Sequence, residues 1–205
     1  LRAAGTNCRI SFDNIRRDNG AERRQARPAT TGEAFMARYR SERKFNYPVD
    51  DAVRVFLDGG EDAYDMHELE NVTAWKVVKE EDDGVRRVGT KEWCAHGQIP
   101  RAAQHVISPK MLTWFEHSVW DRQKKIYSFE IEPRYLRKQI SCKGQTAYMA
   151  DGPDKMKRIF EITLKIDIPL FGPILEAAIM ELLKKNEEQD FKCCAQSLEK
   201  KFGKK

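Results

Sequence analysis

Four residues on stretches with strand periodicity carry side chains suited to proton transfer: Glu92, Glu116, His117 and Glu130. A carboxylate or imidazole acts as a general acid or base only when it is held against the reacting atom. Alternation along a strand therefore decides their use. Inward-facing even positions would bring in Glu92 and Glu116, and inward-facing odd positions His117. The simpler reading leaves all four in water. Cys94, His96, His105 and His117 raise the question of metal, but Cys94-Ala95-His96 on a strand lacks the separated ligand pairs usual in zinc sites, so no metal and no cofactor is expected. No glycine-rich phosphate loop or nucleophile elbow occurs. Cys193-Cys194 reads as helix packing. Binding without catalysis is the leading reading, with an enzyme using a pocket carboxylate or histidine as the alternative.

A second group is apolar. Trp93, Trp114, Phe115, Tyr127, Phe129, Ile131, Ile140, Phe160, Ile162 and Leu164 lie on strand-like stretches, Ile99 on an insertion between them, and Leu175, Ala178, Ile179 and Leu182 on a helical one. Together they can line a pocket for an apolar ligand or close on one another as a solid core. Both require the same residue types.

The elements that must position these residues follow from periodicity. From Arg158 to Ile168 the even positions Phe160, Ile162, Leu164, Ile166 and Ile168 are apolar and the odd ones mostly polar or charged, which predicts a half-buried strand. Pro169-Leu170-Phe171-Gly172-Pro173 interrupts it, and beyond Pro173 the period becomes helical: Ile174, Leu175, Ala178, Ile179, Leu182 and Leu183 on one stripe, with Glu176, Glu181, Lys184 and Lys185 opposite. Upstream, the pattern predicts a strand over 35–45, short helices over 49–57 and 61–69, and strands over 71–79, 85–96, 111–120, 124–132 and 138–148. The last strand covers 155–168. Residues 97–110, with a proline near each end, read as an insertion over the sheet. Short turns make consecutive strands neighbours, so the expected architecture is α+β: a seven-stranded antiparallel curved sheet, two short helices, and a long C-terminal helix across the concave face.

Charge narrows the function classes. The formal net charge of +5 resides in an Arg-rich head, 1–33, and a Lys-rich end, while the body between is close to neutral. Phosphate binding needs a concentrated basic face, so no specific nucleic-acid partner is expected. The head reads as disordered, 34–200 as one domain, and 201–205 as a basic tail. Five cysteines without framework spacing point to reduced thiols and a cytoplasmic setting. No run of about eighteen apolar residues is present.

The order strand, two short helices, six strands, long helix resembles the helix-grip fold of the START-like superfamily, over about 35–200. That superfamily includes birch-pollen-allergen-like proteins, START lipid carriers and polyketide cyclases. Within it, Lys165-Ile166-Asp167-Ile168-Pro169-Leu170-Phe171-Gly172 and Phe56-Leu57-Asp58-Gly59-Gly60-Glu61-Asp62-Ala63-Tyr64 are similar to an uncharacterised, mainly bacterial family of START-like domains. Gln98-Ile99-Pro100-Arg101-Ala102-Ala103-Gln104 is similar to the lid of PRELI-type phospholipid carriers, which implies a gate at 97–110 with transient membrane contact. The resemblance implies a hydrophobic small molecule or lipid as partner, held between sheet and terminal helix. Its enzymatic members imply the alternative, a cyclase, dehydratase or hydrolase. It identifies no protein partner.

Overall fold

A computed structural model describes residues 36–58, 72–95, 108 and 111–204. They belong to the unit spanning Ala34–Lys205. The expected head, the second short helix (61–69) and, apart from Ser108, the insertion 97–110 with Ile99 lie outside the described residues.

The chain forms β1 (Ala37–Phe45), α1 (Val49–Phe56), β2 (Val72–Asp82), β3 (Arg86–Ala95), β4 (Thr113–Asp121), β5 (Ile126–Pro133), β6 (Ile140–Ala150), β7 (Met156–Ile166) and α2 (Gly172–Phe202). The strands make one antiparallel sheet in the order β1-β7-β6-β5-β4-β3-β2. Strands β2 to β7 run as a meander, and β7 closes against β1. The expected seven-stranded curved sheet with a long terminal helix is thus the architecture of the chain.

Register decides which side chains share a face. Tyr39 pairs with Ile162, Ile162 with Gly144, Gly144 with Phe129, Phe129 with Ser118, and Trp114 with Trp93. The inner face, where Met156, Ile162, Leu164, Ile166 and Trp120 are buried, therefore carries even positions on β4, β6 and β7 but odd ones on β1, β3 and β5. No single parity holds across the sheet. An antiparallel pair whose residue numbers sum to an odd value exchanges even for odd at each crossing.

Helix α1 starts directly after Pro48, with Asp50 and Asp51 at the positive end of its dipole. Its buried face, Ala52, Val53, Val55 and Phe56, packs with Phe45, Trp120, Tyr148, Met156, Cys194 and Leu198 in one core cluster. Helix α2 packs mainly on β1, β7 and α1. At its first half a second cluster forms from Cys142, Ile162, Leu164, Ile166, Leu175 and Met180, flanked by Phe129, Ile131, Ile140, Phe160, Ile179 and Leu183.

The connection into α2 is tight. Leu170 adopts φ 66° and is 87% exposed, while Gly172 donates its N–H to Ile168 O at 2.8 Å. A Cβ on Gly172 would collide with the Ile166 carbonyl, so the close crossing requires glycine there. Glu176 does not lie on the wet side of the helix as expected. It is buried, because Oε1 accepts the Ile166 N–H at 2.6 Å where β7 ends. Ile174, expected in the apolar stripe, is 43% exposed. Among the described residues no helix is long and apolar enough to cross a membrane.

Candidate ligand-binding face

The inner face falls into two parts. Under α2, the two apolar clusters are separated by a buried ionic layer. Arg158 and Glu187, with side chains 6% and 5% exposed, approach to 3.3 Å. Arg158 Nη1 also meets Asp190 at 2.5 Å, and Arg43 bridges Glu187 at 2.8 Å and Glu188 at 2.5 Å. Tyr39 donates its hydroxyl to Glu187 at 3.3 Å. A charge this buried is tolerable only when paired and hydrogen-bonded, and here each pairs across the sheet–helix contact. Burial alone would raise the Glu187 carboxyl, but hydrogen bonds and charge from Arg43 and Arg158 outweigh it and hold it below its usual value.

The other part is an aromatic wing. Trp75, Trp93 and Trp114 occupy one register across β2, β3 and β4. Their ring centroids lie 6.1 Å and 6.5 Å apart, the second pair nearly parallel at 13°. Trp93 is buried, yet the three indoles belong to neither core cluster. Beside them Tyr127 donates its hydroxyl to Glu116 Oε1 at 2.6 Å, and burial together with the Glu116 charge pushes the phenol well above its usual range. Between the two parts, the Phe129 ring stacks on Phe160 at 6.1 Å and lies close to Gly144, where a Cβ would come within 2.6 Å of Phe129 Cζ.

Of the residues expected to line a pocket, the sheet brings Trp93, Trp114, Tyr127, Phe129, Ile131, Ile140, Phe160, Ile162 and Leu164 onto one face, and α2 adds Leu175 and Ile179. Phe115 falls outside this set. As an odd residue of β4 it faces outward, 5.8 Å below the Arg134 guanidinium. Ala178 and Leu182 are half-buried but join neither cluster. The candidate acids and bases separate likewise. Glu116 faces inward, whereas Glu92 faces outward with Lys76 and Arg134, and Glu130 and His117 occupy the outer face. There His117 meets Glu132 at 2.8 Å and Thr90 at 3.2 Å. Sequence reasoning missed Lys91, the inward partner of Glu116 across β3 and β4, and the ionic layer. Arg158 within the alternation of β7 was the readable signal of that layer.

Two of the clefts among the described residues are polar-rimmed. One, of about 560 Å³, lies between α1 and the β2–β4 strand ends and is ringed by ion pairs such as Arg122–Asp82 and Arg87–Asp58. The other, of about 430 Å³, adjoins His117, Glu132 and Arg137. Neither is the apolar pocket expected between sheet and helix. Among the described residues no three His, Cys, Asp or Glu side chains are placed to hold a metal ion.

With this geometry in place, comparison with known proteins becomes informative. Residues 40–196 match the family described as protein of unknown function (DUF2505). The chain belongs to that family. No curated protein sequence matches it. Among solved structures, this DUF2505 member is similar to the Zhui aromatase/cyclase from Streptomyces sp. R1128, with 10% identity, a TM-score of 0.56, and coverage of 80% of this chain and 95% of that one. It is similar also to norcoclaurine synthase from Thalictrum flavum, solved in complex with dopamine and hydroxybenzaldehyde, at 13% identity and a TM-score of 0.56, covering 88% and 100%. A START superfamily protein from Mycobacterium smegmatis matches at 8% identity and a TM-score of 0.50, covering 80% and 97%. At such identities the likeness establishes the fold, and the DUF2505 chain has the START-like helix-grip fold.

Proposed function

We propose that the protein binds and carries a hydrophobic small molecule or lipid on the inner face of its sheet, without transforming it. The observation that carries this reading is the division of that face. Helix α2 and the two clusters fill the β1–β7–β6 side, while the three indoles of β2–β4 remain outside both clusters. Large apolar rings on a concave surface, with a few polar groups among them, are the composition of a ligand site. The neighbour solved with dopamine and hydroxybenzaldehyde and the START superfamily relative support the same reading by analogy of fold. A reducing, cytoplasmic setting belongs to it, since the buried thiols of Cys142 and Cys194 form no disulfide among the described residues.

The test is native mass spectrometry of the full chain after incubation with a lipid and small-molecule extract. A discrete bound mass, lost on Trp93→Ala together with Trp114→Ala, is the expected result. A chain that retains nothing overturns the reading.

One observation favours a second reading, an enzyme of the cyclase, dehydratase or hydrolase type. Glu116 is an inward carboxylate with a phenol at 2.6 Å, an arrangement suited to moving a proton. Glu116→Gln would then abolish turnover and leave binding intact. His117 has no part in this reading, because it faces outward.

A further inference from the structure

Three arginines and one lysine point inward from the described strands, and they differ in one respect. Arg43 and Arg158 are ion-paired in the buried layer, and Arg87 pairs with Asp58 at 3.5 Å. Lys91 is part-buried and makes no hydrogen bond or ion pair to any described residue. Its register partner is Glu116, yet the Glu116 carboxylate is engaged by Tyr127 on the far side, on β5. Two residues along β3, on the same face and about 7 Å away by strand rise, Trp93 buries an indole N–H that also lacks an acceptor. Donors shielded from water without acceptors are costly to leave unmade. Here the shielded Trp93 N–H and the part-buried Lys91 ammonium, which meets no described residue, flank one point of the aromatic wing.

We propose that the ligand of this face is a planar aromatic acid: its ring system lies along Trp75, Trp93 and Trp114, and its carboxylate accepts from Lys91 Nζ and Trp93 Nε1. This rests on the reading that the inner face binds a ligand and adds its chemical class. A carboxylate matches the site because it has two acceptor oxygens and supplies the counter-charge that no described residue gives Lys91. A neutral ring would satisfy the indoles and leave Lys91 unpaired. An amine would face Lys91 with a like charge.

The experiment titrates the full chain with three probes of the same ring, 2-naphthoate, 2-naphthalenemethanol and 2-naphthylmethylamine, followed by tryptophan fluorescence and calorimetry. The acid is expected to bind at least about tenfold more tightly than the alcohol, the worth of one charge-assisted hydrogen bond, and the amine most weakly. Lys91→Met should erase the preference for acid over alcohol while leaving alcohol binding unchanged, and Lys91→Arg should restore it. Trp93→Phe should remove part of the preference and keep the ring. If acid and alcohol bind alike, if the amine binds best, or if Lys91→Met keeps the preference, the assignment of an acidic ligand is overturned and the carrier reading stands. If no probe binds, both fall.

Discussion

The two halves of the inner face solve the same problem in opposite ways. Under α2, apolar groups close into clusters and the charges pair with one another: Glu187 receives Arg43, Arg158 and Tyr39, although Arg158 Nε and Ser41 Oγ are buried without a hydrogen bond. On the β2–β4 wing, indoles stack across strands outside both clusters, and among the described residues neither Trp93 Nε1 nor Lys91 meets an acceptor. The first half joins helix to sheet through ion pairs. The second half keeps donors that no described residue answers, as the proposed ligand site requires. Stability should therefore be concentrated on one side and binding on the other.

Substitutions can break that contrast. The largest effect is expected from Arg158→Ala, which leaves Glu187 and Asp190 facing a buried gap. Loss of one partner of a buried pair costs about 3–5 kcal/mol, measurable by urea denaturation, and chains that still fold should bind the naphthalene probes as before. Next is Gly144→Ala at the boundary between the halves. Its Cβ would crowd Phe129 Cζ at 2.6 Å and the Glu161 carbonyl at 2.5 Å. Overpacking of this kind costs about 1–3 kcal/mol, and displacement of the Phe129 ring should be visible in aromatic NMR shifts. Trp114→Ala is the mirror image of Arg158→Ala. It should cost stability only about 1 kcal/mol, because the indole is half-buried, yet weaken naphthoate binding about five- to tenfold. Equal effects of Arg158→Ala and Trp114→Ala on both properties would erase the distinction.

Acid gives the gentlest probe. The Glu187 carboxyl sits below its usual 4.5 in the folded chain, so the unfolded chain takes up that proton first as pH falls. Its contribution is whole above about pH 4.5 and is lost as pH drops through the folded value. Urea midpoints measured at falling pH should decline over that window, and Glu187→Gln should flatten the decline. A slope unchanged in Glu187→Gln would assign it to other carboxylates. Asp82 is one of these, held down to about 2 by the Arg122 guanidinium and the Gly84 N–H.

The fold was readable because its signals are local. Alternation from Phe160 to Ile168, the helical period after Pro173, and turn residues between short strands each depend on neighbours a few positions away, and they led to the seven-stranded sheet with its terminal helix. Placement of the candidate site was less readable. Phe115 and His117 were candidates beside Trp114 and Glu116, although adjacent residues of one strand cannot share a face. The choice between them depends on how β4 registers with β5 and β3, a relation between residues far apart in sequence. The helix hid its polar contacts for the same reason. Glu176 and Glu187 look solvent-facing on a helical wheel and are buried because Ile166 N–H, Arg43 and Arg158 wait on β7 and β1.

Residue order and type were thus enough to settle which described segments are strands and helices and how they follow one another, since hydrophobic period and turn chemistry act over short range. Pairing register settled which charges find partners. That depended on the assembled sheet, where Arg158 meets Glu187 across the interface and Lys91, on the same face, meets no described residue.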